Sequence, residues 1–208
     1  MLQIGWQEAG QYLLTDSGKH SYKKDDWRNY CISTRAHNAV EIDGMSYALE
    51  RQCIYGSAIK RVDAANDAWT MVGERSHKKL KVAQRREIQF TPRKRLVVTD
   101  TLVNLKGSDR QYIVWWQLNP EHNLVEITER GFIVDIGNGQ EMVATFNSNC
   151  PDGHLSPFLA RGRVTPSKIG WSSPAYMEKV PTTSIGFPVN AASVVLTTSF
   201  EIVDRSEH

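Results

Sequence analysis

Apolar residues along much of the chain fall on alternate positions. In "RLVVTDTLV" Leu96, Val98 and Leu102 share one side, and "SVVLTTSFEIV" sets Val194, Leu196, Phe200 and Ile202 against Thr197, Ser199 and Glu201. A period of two is that of a half-buried strand. "QYIVWWQL", "GFIVDIG" and "EMVATF" continue the pattern with turn residues between them, and "REIQF", "TPRKR" and "LVVTD" read as strand, turn and strand. The spacing predicts antiparallel strands at 94–103, 111–118, 131–136 and 192–203, while no stretch longer than three turns carries a helical apolar stripe. The expectation is an all-β chain: a two-sheet antiparallel β-sandwich with long connecting loops, forming a single domain over residues 1–208. Residues 150–184 break the rhythm with prolines, glycines and serines and read as a long surface excursion. Its "GWSSPAY" holds Trp171 and Tyr176, which could lie against a sugar or cap an apolar end of the sandwich.

Composition narrows the class. With 40% hydrophobic and 23% charged residues the chain is an ordinary globular protein with a packed core. The opening "MLQIGWQEAGQYLLTDSG" has no basic start followed by a long apolar run, so it reads as neither an export signal nor a membrane span. Cys31, Cys53 and Cys150 are widely spaced without a Cys-x-x-Cys pair, which favours free thiols over a disulfide framework or a zinc finger. The net charge of +2 conceals a local excess: Arg75 to Arg95 holds nine Lys or Arg against the single acid Glu87. Such a run either attracts a polyanion or is the solvated faces and turn of a hairpin. No nucleic-acid-binding motif accompanies it.

The densest polar chemistry lies in "STRAHNAVEID", Ser33 to Asp43. Strand alternation sends Asn38, Val40 and Ile42 one way and Arg35, His37, Ala39, Glu41 and Asp43 the other. Arg35 and His37 are thus expected together on the face away from the core, either plain surface or the wall of a site. The planar fork of Arg35 suits a carboxylate or sulfate, with an ion pair to Glu41 as the alternative. Asn38, on the apolar side, is suited to hydrogen-bonding backbone and fixing the turn that presents His37. Tyr22 and Trp27 lie among Lys19, Lys23 and Lys24 and read as a sugar platform or as core. His20, His122 and His154 have no partner at a diagnostic spacing.

Residues Asp16 to Gly44 carry Asp16, Gly18, Tyr22, Trp27-Arg28, Tyr30, Ser33-Thr34 and Ala36-His37-Asn38 in an order that resembles the C-terminal β-sandwich domain of the heparinase II/III-like polysaccharide lyases. "VWWQLNP" and "GWSSPAYMEKVPTTSIGF" look like later parts of the same domain. The resemblance implies a β-sandwich that accompanies an α/α toroid, and cleavage of uronic-acid-containing polysaccharide by β-elimination. It implies His37 as the catalytic residue this domain contributes. It also implies Arg35, Tyr22, Lys19 and Trp171 as binding residues for an acidic glycan, and a structural divalent metal such as zinc at His37. Bacterial periplasm or secretion is the location it suggests. Against the family pattern, the toroid and a His-x-His-x-Asp-like stretch have no counterpart here, and near "VGERSHKKL" Arg75 stands where relatives carry Glu-His, with His77 displaced. The reading is therefore the sandwich part of a lyase, inactive without its toroid; the alternative is a non-catalytic glycan-binding or structural module.

Overall fold

A computed structural model describes residues 2–8, 10–46 and 57–205. Cys53 lies outside the described residues. The chain opens with the hairpin β1 (Trp6–Glu8) and β2 (Gln11–Leu14), followed by a short helix α1 (Asp26–Cys31) and the strand β3 (Val40–Ile42). A meander of β4 (Ser57–Ala65), β5 (Ala68–His77), β6 (Val82–Thr91) and β7 (Arg95–Asn104) comes next. Then come β8 (Arg110–Gln117), β9 (Asn123–Thr128), β10 (Gly131–Gly137) and β11 (Gln140–Ser148). The 150–184 excursion holds the short strands β12 (Phe158–Arg161), β13 (Trp171–Ser172) and β14 (Val180–Pro181), and the chain closes with β15 (Thr183–Ala191) and β16 (Ser193–Asp204). All four strand segments expected from the alternation are present, and the "TPRKR" turn joins β6 to β7.

Two antiparallel sheets face each other. The larger has eight strands in the order β4-β5-β6-β7-β16-β11-β10-β9, and the smaller has four, β12-β15-β8-β3. Alternation decides what lies between them: Leu96, Val98, Leu102, Phe132, Phe146 and Phe200 from the large sheet meet Val40, Tyr112, Trp116, Phe187 and Val189 from the small one, all buried. Phe146 stacks on Phe187 with ring centroids 4.7 Å apart, and Trp116 meets Phe200 edge-on at 4.9 Å. Each such side chain contributes on the order of 1.5–3 kcal/mol of burial.

An eight-stranded sheet is wider than its partner. Cross-strand pairing carries the core-side rows outward from Val98 through Ile88 and Met71 to Val62, and from Leu96 through Phe90 and Trp69 to Ala64. Ile88 and Phe90 are already only half-buried, whereas Val62 and Trp69 are 53% and 46% exposed. The register shifts between Ile59 and Arg61, so Ile59 pairs with Gly73 and joins Val62 on this same face, three residues apart. A one-residue bulge at Lys60 has that effect on side-chain direction.

The basic run is divided by the fold. Lys78, Lys79 and Lys81 lie at the β5–β6 turn and Arg93, Lys94 and Arg95 at the β6–β7 turn, all exposed. These turns sit at opposite ends of a ten-residue strand, roughly 30 Å apart at about 3.3 Å per residue. Arg86, midway along β6, is not a surface cation at all. It is 2% exposed, donates Nη2 to Asp100 Oδ2 at 2.7 Å, and gives Nη1 to the carbonyls of Leu2 and Asn38 at 2.8 and 2.7 Å.

Candidate functional site

The stretch that carries His37 does not begin as a strand. Residues Thr34–Ala36 form one 3-10 turn and β3 starts only at Val40. A 3-10 turn rotates about 120° per residue where a strand rotates 180°, so the expected common face for Arg35 and His37 does not form. Arg35 instead folds over Glu41, donating Nε and Nη2 to its two carboxylate oxygens at 3.0 Å each. The guanidinium fork is fully engaged by a carboxylate of this chain, the alternative that the sequence left open.

His37 turns inward and is 6% exposed. Its Nδ1 lies 2.7 Å from Asp16 Oδ2. A carboxylate only accepts, so Nδ1 carries the hydrogen and Nε2 is the remaining nitrogen. Nε2 is buried and has no hydrogen-bond partner among the described residues. Asp16 also accepts from the Gly18 backbone N–H through Oδ1 at 2.7 Å. Burial pushes the Asp16 carboxyl up, but the hydrogen bond and charge of His37, with Gly18 and Gln3, hold it below its ordinary value. The sequence reading took the Asp-x-Gly of this segment for a turn and missed its second use. The signal was there: a carboxylate that accepts from the N–H two residues on has its other oxygen left for an imidazole.

The neighbouring Asn38 locks the segment. Its Nδ2 donates to the carbonyls of Ile4 and Thr15, both at 2.8 Å, and its Oδ1 accepts from the Gln117 N–H at 2.6 Å. With Arg86 on the Asn38 carbonyl, the backbone on the C-terminal side of His37 is tied to the N-terminal run, to β2's exit, to β6 and to β8. Gln117 Nε2 adds a bond to the Arg35 carbonyl at 2.9 Å.

A second surface adjoins Asp16. The Ser173 N–H donates to the Ser17 carbonyl and the Met177 N–H to the His20 carbonyl, both at 2.9 Å, so the 16–22 and 171–179 loops run together. Gly18 sits at φ +72°, and a Cβ there would lie 2.5 Å from the Ser173 carbonyl oxygen, so both backbone angle and close approach require glycine. On these loops Lys19 Nζ stands 4.0 Å above the ring of Tyr22, which is 77% exposed. Lys168 and Lys179, not singled out from the sequence, place their Nζ 5.3 and 4.6 Å from the Trp27 ring centre. Trp171 is half-buried rather than open: it meets Trp27 edge-on at 5.1 Å and gives Nε1 to the Arg163 carbonyl at 3.0 Å. The Tyr30 hydroxyl holds the Trp171 backbone on both sides at 3.2 Å, and burial raises its pKa above the ordinary value. The fold thus brings Lys19, Tyr22 and Trp171 onto one loop surface, with Arg35 apart from them.

The metal expected at His37 is not supported by the donor set. Nε2 lacks a partner, yet among the described residues no three His, Cys, Asp or Glu side chains converge as a metal shell. Zinc asks for four such donors in a structural site and three in a catalytic one. No chemistry is routed through a metal here. Nor, among the described residues, is any helix long and apolar enough to cross a membrane.

Known structures reproduce this architecture. A heparinase III gene product with methylated lysines superposes with a TM-score of 0.79 at 20% identity, covering 98% of this chain and 30% of that one. The heparan sulfate lyase HepC from Pedobacter heparinus gives 0.75 at 17% identity, covering 94% and 29% respectively. At such identities the likeness is one of fold, and the chain spans about a third of the length of these structures. Comparison with curated proteins gives no match. The sequence profile described as heparinase II/III-like, C-terminal, aligns with residues 7–202, and the chain belongs to that family.

Proposed function

We propose that this chain is the β-sandwich portion of a polysaccharide lyase that cleaves uronic-acid-containing acidic polysaccharide by β-elimination. On this reading it contributes His37 to a cleft completed by an α/α toroid. The observation that carries the reading is the buried imidazole held at Nδ1 by Asp16 with Nε2 left over among the described residues. An imidazole fixed in one tautomer can receive or return a proton at Nε2, or, once protonated, donate a hydrogen bond to developing negative charge. β-Elimination from a uronate needs all of that: a base for the C5 proton, neutralisation of the carboxylate as the enolate forms, and a proton for the departing glycosidic oxygen. One imidazole supplies at most one of these roles, so the isolated chain binds substrate weakly and does not turn it over.

Glycan contact is assigned to the loop surface beside Asp16, where Tyr22 and Trp27 present rings with Lys19, Lys168 and Lys179 next to them. Rings stack on sugar faces and ammonium groups meet carboxylates or sulfates. The test follows absorbance of the unsaturated uronate product with heparan sulfate, heparin and alginate, using the chain with and without a toroid partner. Turnover is expected only with the partner, and His37→Ala in that mixture should lower it by roughly 100-fold or more while the circular dichroism spectrum stays unchanged. Turnover by the isolated chain, or full activity of the His37→Ala mixture, overturns the reading.

A further inference from the structure

The core-side face of the large sheet does not end where the small sheet stops covering it. Ile59, Val62 and Trp69 are 70%, 53% and 46% exposed, and they continue the rows of Met71, Ile88 and Phe90 on the face that elsewhere packs the sandwich interior. A solvated sheet face ordinarily alternates to polar residues; this one stays apolar across three strands. The Lys60 bulge adds Ile59 to the same side. Such a contiguous patch marks an interaction surface.

Part of this face is already occupied from the N-terminal direction. Leu2 lies across β5 at Gly73, where a Cβ would stand 2.8 Å from Leu2 Cδ2, and the Leu2 carbonyl accepts from Arg86. The run from Leu2 to Ile4 therefore enters the domain over these strands, beside the rows that remain uncovered, and a body joined ahead of it would be delivered to them. In the solved structures with this fold the matching region is only 29–30% of the chain, so a body more than twice its size accompanies the sandwich there.

We propose that the exposed face formed by Ile59, Val62, Trp69 and Met71 is the docking surface for the companion α/α toroid, whose contacting element presents an apolar helical stripe to it. The inference rests on the lyase reading given above. It places the toroid against β4–β6 and leaves the far edge of the large sheet, at β9, free of it.

The test measures binding of the purified chain to the separately purified toroid encoded with it, by isothermal titration. Val62→Asp combined with Trp69→Ser puts a charge and a void in the patch. Val125→Asp, on β9 and 54% exposed in the native chain, is the control at the opposite edge. Both variants must keep the wild-type circular dichroism spectrum. Where the double change alters it, Trp69→Ala alone takes its place. The expected result is binding weakened by about tenfold or more in the patch variant and unchanged in the control. Binding of wild type with no loss in the patch variant sinks the docking surface while leaving the lyase reading standing; absence of any toroid binding by wild type removes the partnership that both need. Two further outcomes overturn the assignment: a dimer of the isolated chain in sedimentation equilibrium that Val62→Asp dissociates, making a second copy the occupant, or loss of heparin binding in the patch variant with toroid binding intact, making Trp69 a sugar platform.

Discussion

Arg86 illustrates how far one residue can depart from its sequence neighbourhood. Set in a run of cations, it is buried against Asp100 with four donor contacts, two of them to the carboxylate and two to backbone carbonyls. Arg86→Met leaves Asp100 buried without its cation, and the expected loss is about 3–5 kcal/mol, read from urea denaturation. Adding Asp100→Leu should recover part of that loss because the stranded charge is gone. The same network reaches His77 through Gln84, which accepts from or donates to the ring at 3.0 Å and donates to Asp100 at 2.9 Å. Burial lowers the His77 pKa from its ordinary 6.5, the Gln84 bond opposes this, and the Arg75 charge lowers it further. The folded state therefore binds fewer protons than the unfolded one, and His77 favours folding above about pH 6.5 and ceases to do so as pH falls. His77→Gln should flatten the decline in melting temperature between about pH 7 and 5; an unchanged slope would assign that decline to other groups.

The long elements were legible as alternation because each has one face in the core: Leu96, Val98, Asp100 and Leu102 of β7 are buried and the residues between them are not. Asp100 belongs to that buried set, and only the position of Arg86 across the ladder explains it. What alternation could not show were the short irregular pieces. The six residues of α1 are too few for a helical stripe, and its start depends on Asp25 accepting from the Arg28 N–H at 2.9 Å. The Thr34–Ala36 turn is shorter still, so His37 was assigned to a strand face and is found facing inward against Asp16. That contact spans 21 residues, and no local pattern encodes it. Lys168 and Lys179 reach Trp27 across a similar gap in sequence. Within the ladder, one position has no tolerance: at Gly131, paired with Thr145, a Cβ would collide with the Ala144 carbonyl. Gly131→Ala should destabilise the β10–β11 pair by about 1–3 kcal/mol, with faster amide exchange along both strands as the check.

Across the whole molecule, charge is arranged by fold and not by sequence. The two basic turns stand at opposite ends of β6, so a polyanion chain would have to run the length of the strand to touch both. The lysines near Trp27 and Tyr22 stand together instead. Lys168→Ala with Lys179→Ala should therefore weaken heparin binding more than Lys79→Ala with Lys94→Ala does. For the wild type, raising salt from about 0.05 to 0.5 M should weaken binding steeply. Equal effects of the two pairs would return the run from Arg75 to Arg95 to the interface. The unequal width of the two sheets also gives the extra residue at Lys60 a meaning for how such a chain can change length. Because residues on its two sides keep to one face only by virtue of the bulge, removing that single codon would not merely shorten the strand. It would invert residues 57–59 relative to the sheet, trading Ile59 for Ala58 on the apolar side. Insertions and deletions in this edge strand are thus tolerable only in pairs, as a reading frame tolerates them only in threes.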